Sequence, residues 1–158
     1  MKALLIGTLL GATLGFVPAR QDPTPAQATQ PIAVIVHPDN PVDGFTLEEL
    51  RRLYLGNTTL FANRERVILL ESAEERGRFY RTVAGMGEDR LKRHWVARVF
   101  AGDSGTPPIE FRSPEDLKHY VATHPGAVAF LPAAAVDRSV KAVPIDGRRP
   151  GDARYPIP

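Results

Sequence analysis

The chain has 158 residues, of which 43% are hydrophobic and 24% charged, and its 20 basic and 18 acidic side chains nearly balance. This length and balance are typical of one folded domain and give no argument for a nucleic-acid partner. The sequence contains no cysteine, which excludes a disulfide scaffold, thiol catalysis and cysteine-ligated zinc.

Residues 1–19 have the pattern of a secretory signal peptide. Lys2 supplies a positive start, residues 3–17 carry no charge, and Val17-Pro18-Ala19 offers small or permissive side chains at a cleavage site. The uncharged run is shorter than the roughly 20 residues of a membrane span, so a cleaved leader is favoured over an uncleaved anchor or a buried helix. The sequence therefore predicts a periplasmic or secreted protein, without stable membrane insertion after cleavage.

The rest of the chain divides by composition. Residues 20–30 are polar and proline-spaced, which predicts a linker. Residues 31–147 carry the hydrophobic patterning of a folded domain, and residues 148–158 are expected to form a flexible, loosely held tail.

Short apolar, often β-branched runs alternate with amphipathic stretches along this domain. The predicted strands are residues 32–37, 66–70, 126–131 and 139–145. Pro144 cannot donate a backbone hydrogen bond, which favours a sheet edge for the last strand. Strands that alternate with helices predict an α/β fold with a small mixed or parallel sheet flanked by helices.

The predicted helices begin at recognisable caps. Thr46 with Glu49 and Ser72 with Glu75 both match a capping box, and Ser113-Pro114 matches an N-cap followed by proline. A further helix is predicted over residues 88–100.

In the helix over residues 88–100, Leu91, Trp95 and Val99 recur on one side and are expected to face the core.

No catalytic or metal-binding pattern is present. The four histidines, His37, His94, His119 and His124, lack the spacing of a metal site, and no G-x-S-x-G motif occurs. Pairs of glutamates fall in the first turns of predicted helices, where the helix dipole favours them. The sequence therefore predicts no enzyme, no metal and no cofactor.

Basic residues concentrate in 76–98 and could meet phosphate groups, but a solvated helix face is the favoured interpretation. The helix start at Ser72 follows a strand directly, where α/β sheets bind ligands. Glu74 and Glu75 beside it would repel an anion.

Four segments resemble the substrate-binding proteins of phosphate-type ABC transporters, in the order of that family. They are IAVIVHPDNPV (32–42), FTLEELRRLYLGNTTLF (45–61), VILLESAEERGRFYRTVAG (67–85) and PGAVAFLPAAAVDRSVKAVPIDG (125–147). The resemblance implies a periplasmic-binding-protein-like fold. The length of the chain corresponds to a single lobe of these two-lobed proteins.

The resemblance implies a small oxyanion ligand such as phosphate. Ser72 is the residue that matches the family's anion loop, and His37 and Asn40 are expected beside it at a concave edge. The family's arginine is replaced there by Glu71, and its Gly-Thr pair is missing.

Two functions follow from this resemblance. The first is an exported solute-binding-type lobe that binds an oxyanion, as a homodimer or with a partner lobe. The second is a periplasmic protein-interaction module that kept the fold and lost the ligand site.

Overall fold

The computed structural model describes residues 30–103 and 105–158. Within these residues, a five-stranded sheet in the order β3-β2-β4-β1-β5 is flanked by four α-helices. The strands are β1 (Ile32–Val36), β2 (Ile68–Ser72), β3 (Ile109–Phe111), β4 (Ala127–Pro132) and β5 (Lys141–Val143). The helices are α1 (Leu47–Tyr54), α2 (Arg76–Ala84), α3 (Glu88–Phe100) and α4 (Pro114–Thr123), with a short 3₁₀ turn at Ala133–Ala135. The predicted α/β fold with a mixed sheet is confirmed.

The strand directions decide which residues can meet. Strand β2 pairs in parallel with β3 and β4, whereas β1 is antiparallel to β4 and β5. The carboxyl ends of β2, β3 and β4 therefore share one edge of the sheet, which we call the strand-end edge. Strand β1 begins at this edge, with Ile32 opposite Pro132, and ends at the other.

Both faces of the sheet are covered by helices. The larger hydrophobic cluster lies between one face and helices α1, α2 and α3, and the smaller cluster lies under α4. In the larger cluster the rings of Phe79 and Phe130 stack with centroids 3.8 Å apart. The hydroxyl of Tyr54 donates to the carbonyls of Leu70 and Val128, which ties α1 to the sheet.

Several local predictions agree with the structure and others do not. Thr46 forms a complete capping box with Glu49, and Ser113 caps α4. The prediction that Ser72 begins a helix is wrong, because Ser72 ends β2 and α2 begins only at Arg76. Strand β3 was missed.

Helix α3 has the predicted bounds, but only part of its predicted core side is buried. Leu91 and Trp95 are buried, whereas Val99 is exposed. The expected apolar side therefore continues into solvent at the end of the helix.

The end of the chain is held more firmly than its composition suggested. The backbone N–H of Ile32 donates to the carbonyl of Ile157 at 3.0 Å, and the hydroxyl of Tyr155 donates to the carbonyl of Ile32 at 2.9 Å. Both Tyr155 and Ile157 are buried. The expectation of a loosely held tail is therefore wrong for these residues, whose apolar side chains pack on the sheet.

The expected signal peptide, 1–19, and all of the linker but residue 30 lie outside the described residues. Of the helices in the described ranges, none combines the length and apolar character that crossing a bilayer requires.

Candidate functional site

Two glutamates lie side by side near the strand-end edge. The parallel pairing of β2 and β3 sets Glu71 opposite Glu110 and Ser72 opposite Phe111. The backbone N–H of Ala73 then donates to the carbonyl of Phe111 at 2.9 Å, which extends the pairing beyond β2. Because residues opposite each other share a face of the sheet, both glutamates lie on the face that α2 and α3 cover.

The first residue of α2 is a cation that contacts both glutamates. Arg76 Nη1 lies 3.0 Å from Glu110 Oε2, and its Nε lies 3.5 Å from Glu71 Oε1. The hydroxyl of Tyr80, one helical turn further on, donates to Glu71 Oε2 at 2.9 Å. We call these four residues the carboxylate–arginine cluster. Their charges come to one cation against two carboxylates.

Burial changes the acidity of this cluster. Desolvation raises the pKa of Glu71, and the nearby Glu110 carboxylate adds to the rise. The Tyr80 hydrogen bond and the Arg76 charge act in the opposite direction and do not cancel it. Glu71 therefore holds a proton more readily than an exposed glutamate does. Buried carboxyls of this kind beside a cleft are candidates for functional roles.

A cleft of about 320 Å³ opens beside the cluster. Its walls come from the cluster, from α3 and from the loop before β3, and the lining residues are Glu71, Arg76, Leu91, Lys92, Trp95, Val96, Pro107, Pro108 and Glu110. The walls combine charged and apolar side chains, as small-molecule sites do.

The three predicted site residues do not share an edge. Ser72 lies at the strand-end edge, but His37 and Asn40 follow β1, which ends at the opposite edge because it runs antiparallel to β4. Asn40 Nδ2 donates to the carbonyl of Pro125, just before β4. The expected concave edge formed by all three residues is therefore wrong.

Both residues at the far edge have local backbone partners. Asn40 is buried, and its Oδ1 accepts from the N–H of Val42 at 2.9 Å. His37 Nδ1 accepts from the N–H of Asp39 at 3.1 Å. These bonds fix the loop after β1. This structural role is enough to explain why His37 and Asn40 stand at these positions.

Ser72 is buried at the end of β2. It lies two residues after Leu70, whose side chain belongs to the cluster under α4, so Ser72 points to that face. The N-cap of α2 is Glu75, which makes no side-chain cap bond and instead pairs with Arg78 at 2.6 Å. The binding role of Ser72 remains a prediction.

Sequence reasoning missed Arg76, Tyr80 and Glu110 as members of one cluster. Glu110 joins it only through β3, whose three residues are too few to give a recognisable strand pattern. One signal was available, because a glutamate at the end of the apolar run 67–70 requires a partner.

Over residues 30–103 and 105–158, no group of three or more histidine, aspartate or glutamate side chains is placed to hold a metal ion.

The described domain has the fold of one lobe of a phosphate-type substrate-binding protein. No family model matches the sequence, and no curated protein matches it. Solved structures do match. A protein of Clostridium perfringens, described as a phosphate ABC transporter substrate-binding protein with bound phosphate, is 22% identical with a TM-score of 0.62.

Two further structures agree with this fold. An ABC-type phosphate transport receptor from Vibrio cholerae is 22% identical with a TM-score of 0.55, and PstS from Borrelia burgdorferi is 8% identical with a TM-score of 0.56. The matches cover 77%, 79% and 77% of this chain, but only 47%, 53% and 49% of the three solved proteins. The chain thus spans about half the length of these binding proteins. At such identities the likeness shows the fold alone.

Proposed function

We propose that this protein is an exported solute-binding-type domain that binds a small oxyanion of the phosphate class in connection with ABC-type uptake. Its location would be periplasmic or secreted. The fold supports this proposal, since the matching solved structures are binding proteins of phosphate transport systems. The predicted signal peptide supports the location.

The observation that carries the proposal is the position of Arg76. Arg76 is the first residue of α2, and its guanidinium lies beyond the carboxyl end of β2. This is the part of an α/β sheet where ligands bind. The first turn of a helix also offers free backbone N–H groups to an anion. The proposed site includes Ser72 and Arg76 and leaves out His37 and Asn40, which lie at the other edge.

The neighbouring carboxylates define which oxyanion fits. An oxyanion that carries a proton can donate it to Glu71 or Glu110 while its other oxygens accept from Arg76. A fully ionised oxyanion would meet only repulsion from the same carboxylates. Hydrogen phosphate should therefore bind better than sulfate at neutral pH.

Calorimetric titration of the purified protein with phosphate and then sulfate, at two ionic strengths, tests this site. We expect saturable phosphate binding that persists in added salt, with weaker sulfate binding. Arg76→Gln should weaken phosphate binding most, and Ser72→Ala should have a smaller effect because its side chain faces α4. His37→Ala, at the opposite edge, is the matched control. Equal, salt-sensitive heats for both anions, or equal effects of Arg76→Gln and His37→Ala, would contradict the proposal.

The location has its own test. Expression of the full chain in a Gram-negative host, followed by fractionation and N-terminal sequencing, should give a periplasmic protein that begins at Arg20. Recovery of an intact Met1 in the cytosol would contradict export.

A second candidate function is a periplasmic protein-interaction module. The observation in its favour is the excess of acid around the start of α2, where Glu71 and Glu110 contact Arg76 and Glu74 is exposed two residues before it. Such a surface repels a free anion and suits a partner with a basic surface. Absence of phosphate binding, together with a cross-linked periplasmic partner that Glu74→Lys abolishes, would favour this function.

A further inference from the structure

The cleft beside the carboxylate–arginine cluster is larger than the oxyanion proposed for it. Its volume is about 320 Å³. At the roughly 30 Å³ that one water molecule takes in the liquid, this space holds about ten non-hydrogen atoms, whereas phosphate has only five. Inorganic phosphate beside Arg76 would therefore leave about half of the cleft to solvent.

Much of the lining of this cleft is apolar. These side chains come from α3 and from the two prolines before β3, and they are Leu91, Trp95, Val96, Pro107 and Pro108. Leu91 and Trp95 are buried and so have fixed positions, whereas Val96 is 46% exposed. An indole ring favours contact with a second aromatic ring. The cleft therefore joins a charged part, at the cluster, to a part that suits an apolar group.

The charged part of the cleft keeps hydrogen-bond donors for an oxyanion. A guanidinium carries five N–H groups. Arg76 Nη1 donates to Glu110 Oε2, and the buried Nε of Arg76 has no hydrogen-bond partner within the described residues. Lys92, which is exposed on α3, brings a second cation to the same cleft. The lining therefore holds two cations beside the two carboxylates of the cluster.

We propose that this cleft binds a small phosphomonoester whose organic group is apolar, which presupposes the oxyanion site of the proposed function. The phosphate group contacts Arg76, and the organic group covers Val96 and the two prolines. A ligand of about ten non-hydrogen atoms fits the volume. A phosphomonoester has its second pKa near about 6, so below that pH it keeps the proton that Glu71 or Glu110 accepts.

Calorimetric titration of the purified protein at about pH 5, where the ester keeps one proton, tests this ligand class. The probes are inorganic phosphate, phenyl phosphate and glycerol phosphate, and the two esters are similar in size. We expect phenyl phosphate to bind about tenfold more tightly than inorganic phosphate, because its ring leaves water for an apolar lining. Glycerol phosphate has a polar organic group and should gain nothing over inorganic phosphate. Equal affinities for all three probes would overturn the proposal.

A matched pair of exposed valines on α3 locates the organic group. Val96 lines the cleft, whereas Val99, three residues further along the helix, lies outside the lining. Val96→Ser should reduce the preference for phenyl phosphate over inorganic phosphate about threefold, because it removes apolar contact with the ring. Val99→Ser should leave this preference unchanged. Equal effects of the two variants would overturn the assignment of the organic group to this cleft.

The ligand class and the oxyanion site can fail separately. Saturable binding of inorganic phosphate without a preference for phenyl phosphate rejects the ligand class and leaves the proposed function intact. Phenol, which is a ring without a phosphate group, gives the opposite test. Phenol that binds as tightly as phenyl phosphate, with both affinities unchanged in Arg76→Gln, would show an apolar site alone and reject the oxyanion site as well. Absence of binding for every probe would also reject both.

Discussion

Two segments of this chain have nearly the same local sequence and different structures. Thr46-Leu-Glu-Glu49 forms a capping box, in which Thr46 Oγ1 accepts from the N–H of Glu49 at 3.1 Å and Glu49 Oε2 accepts from the N–H of Thr46 at 2.7 Å. Ser72-Ala-Glu-Glu75 matches the same motif, yet Ser72 ends a strand and α2 begins four residues later.

Tertiary pairing explains this difference. Strand β2 lies between β3 and β4, and the register with β3 continues through Ser72 to the bond from the N–H of Ala73. A cap contributes about 1 kcal/mol, which several sheet hydrogen bonds and the burial of β2 outweigh. Thr46 follows a loop and has no competing strand. A capping motif therefore fixes a helix start only where no sheet pairing competes for the same backbone.

Removal of the buried carboxylate should have the largest effect. Glu71→Ala leaves the buried hydroxyl of Tyr80 without its acceptor, so we expect a loss of about 2 kcal/mol in the free energy of unfolding in urea. Glu71→Gln keeps an acceptor oxygen and should cost far less. If the hydrogen bond is the cause, adding Tyr80→Phe to Glu71→Ala should recover part of the loss. Equal losses for the Ala and Gln variants would show that the bond does not matter.

A matched pair of variants tests whether the two capping motifs, at Thr46 and at Ser72, differ in their contribution to stability. Thr46→Ala should lower the free energy of unfolding by about 1 kcal/mol, because it removes a cap. Ser72→Ala should change it by less than half as much, because Ser72 caps no helix. Urea unfolding of both variants in one buffer decides the matter. Equal losses in the free energy of unfolding for Ser72→Ala and Thr46→Ala would contradict the conclusion that only Thr46 caps a helix.

The pH dependence of stability should also differ between the two segments, because Glu71 beside Ser72 is buried whereas the glutamate Glu48 beside Thr46 is exposed. Desolvation raises the pKa of Glu71 above the 4.5 of an ordinary glutamate, so the native state holds this proton more tightly than the unfolded state. The contribution of Glu71 to stability therefore falls as pH rises from about 4.5 through the native pKa, and stays low above it. Glu71→Gln cannot ionise, so its stability relative to the natural protein should increase over that window.

Urea unfolding of the natural protein and of Glu71→Gln between about pH 4 and 8 measures this change. Glu48→Gln, which removes an exposed carboxylate from α1, is the control for loss of one charge. Parallel curves for the natural protein and Glu71→Gln would contradict the effect of burial on Glu71.

Much of the fold could be predicted because its core elements carry strong patterns. Strands β1 and β4 are continuous apolar runs that are buried on both faces, and α3 has the predicted bounds. Strand β3 could not be predicted, because it has three residues, follows two prolines and exposes Ile109. The burial of Tyr155 and Ile157 depends on their bonds to Ile32 and on packing in the larger hydrophobic cluster, which only the fold brings together.

The candidate site could be predicted only in part. The position of Ser72 at a strand end follows from the chain order, but the grouping with His37 and Asn40 required β1 to be parallel to β2. The antiparallel direction of β1 is not encoded in its own five residues. Glu110 and Arg76 are 34 residues apart and meet only because β3 pairs with β2.

The smallest effect concerns Glu74, which lies in the turn between β2 and α2 and is exposed. Glu74→Gln removes one negative charge near the proposed oxyanion site, and solvent screening limits the gain to roughly 0.5 kcal/mol. Phosphate affinity in calorimetry should therefore rise about twofold at low salt and hardly at all at high salt. Glu48→Gln, in the first turn of α1, removes the same charge from the start of the other helix and should leave the affinity unchanged. Equal changes for the two variants would mean that phosphate senses only the net charge of the protein, and the oxyanion site beside Arg76 would be rejected.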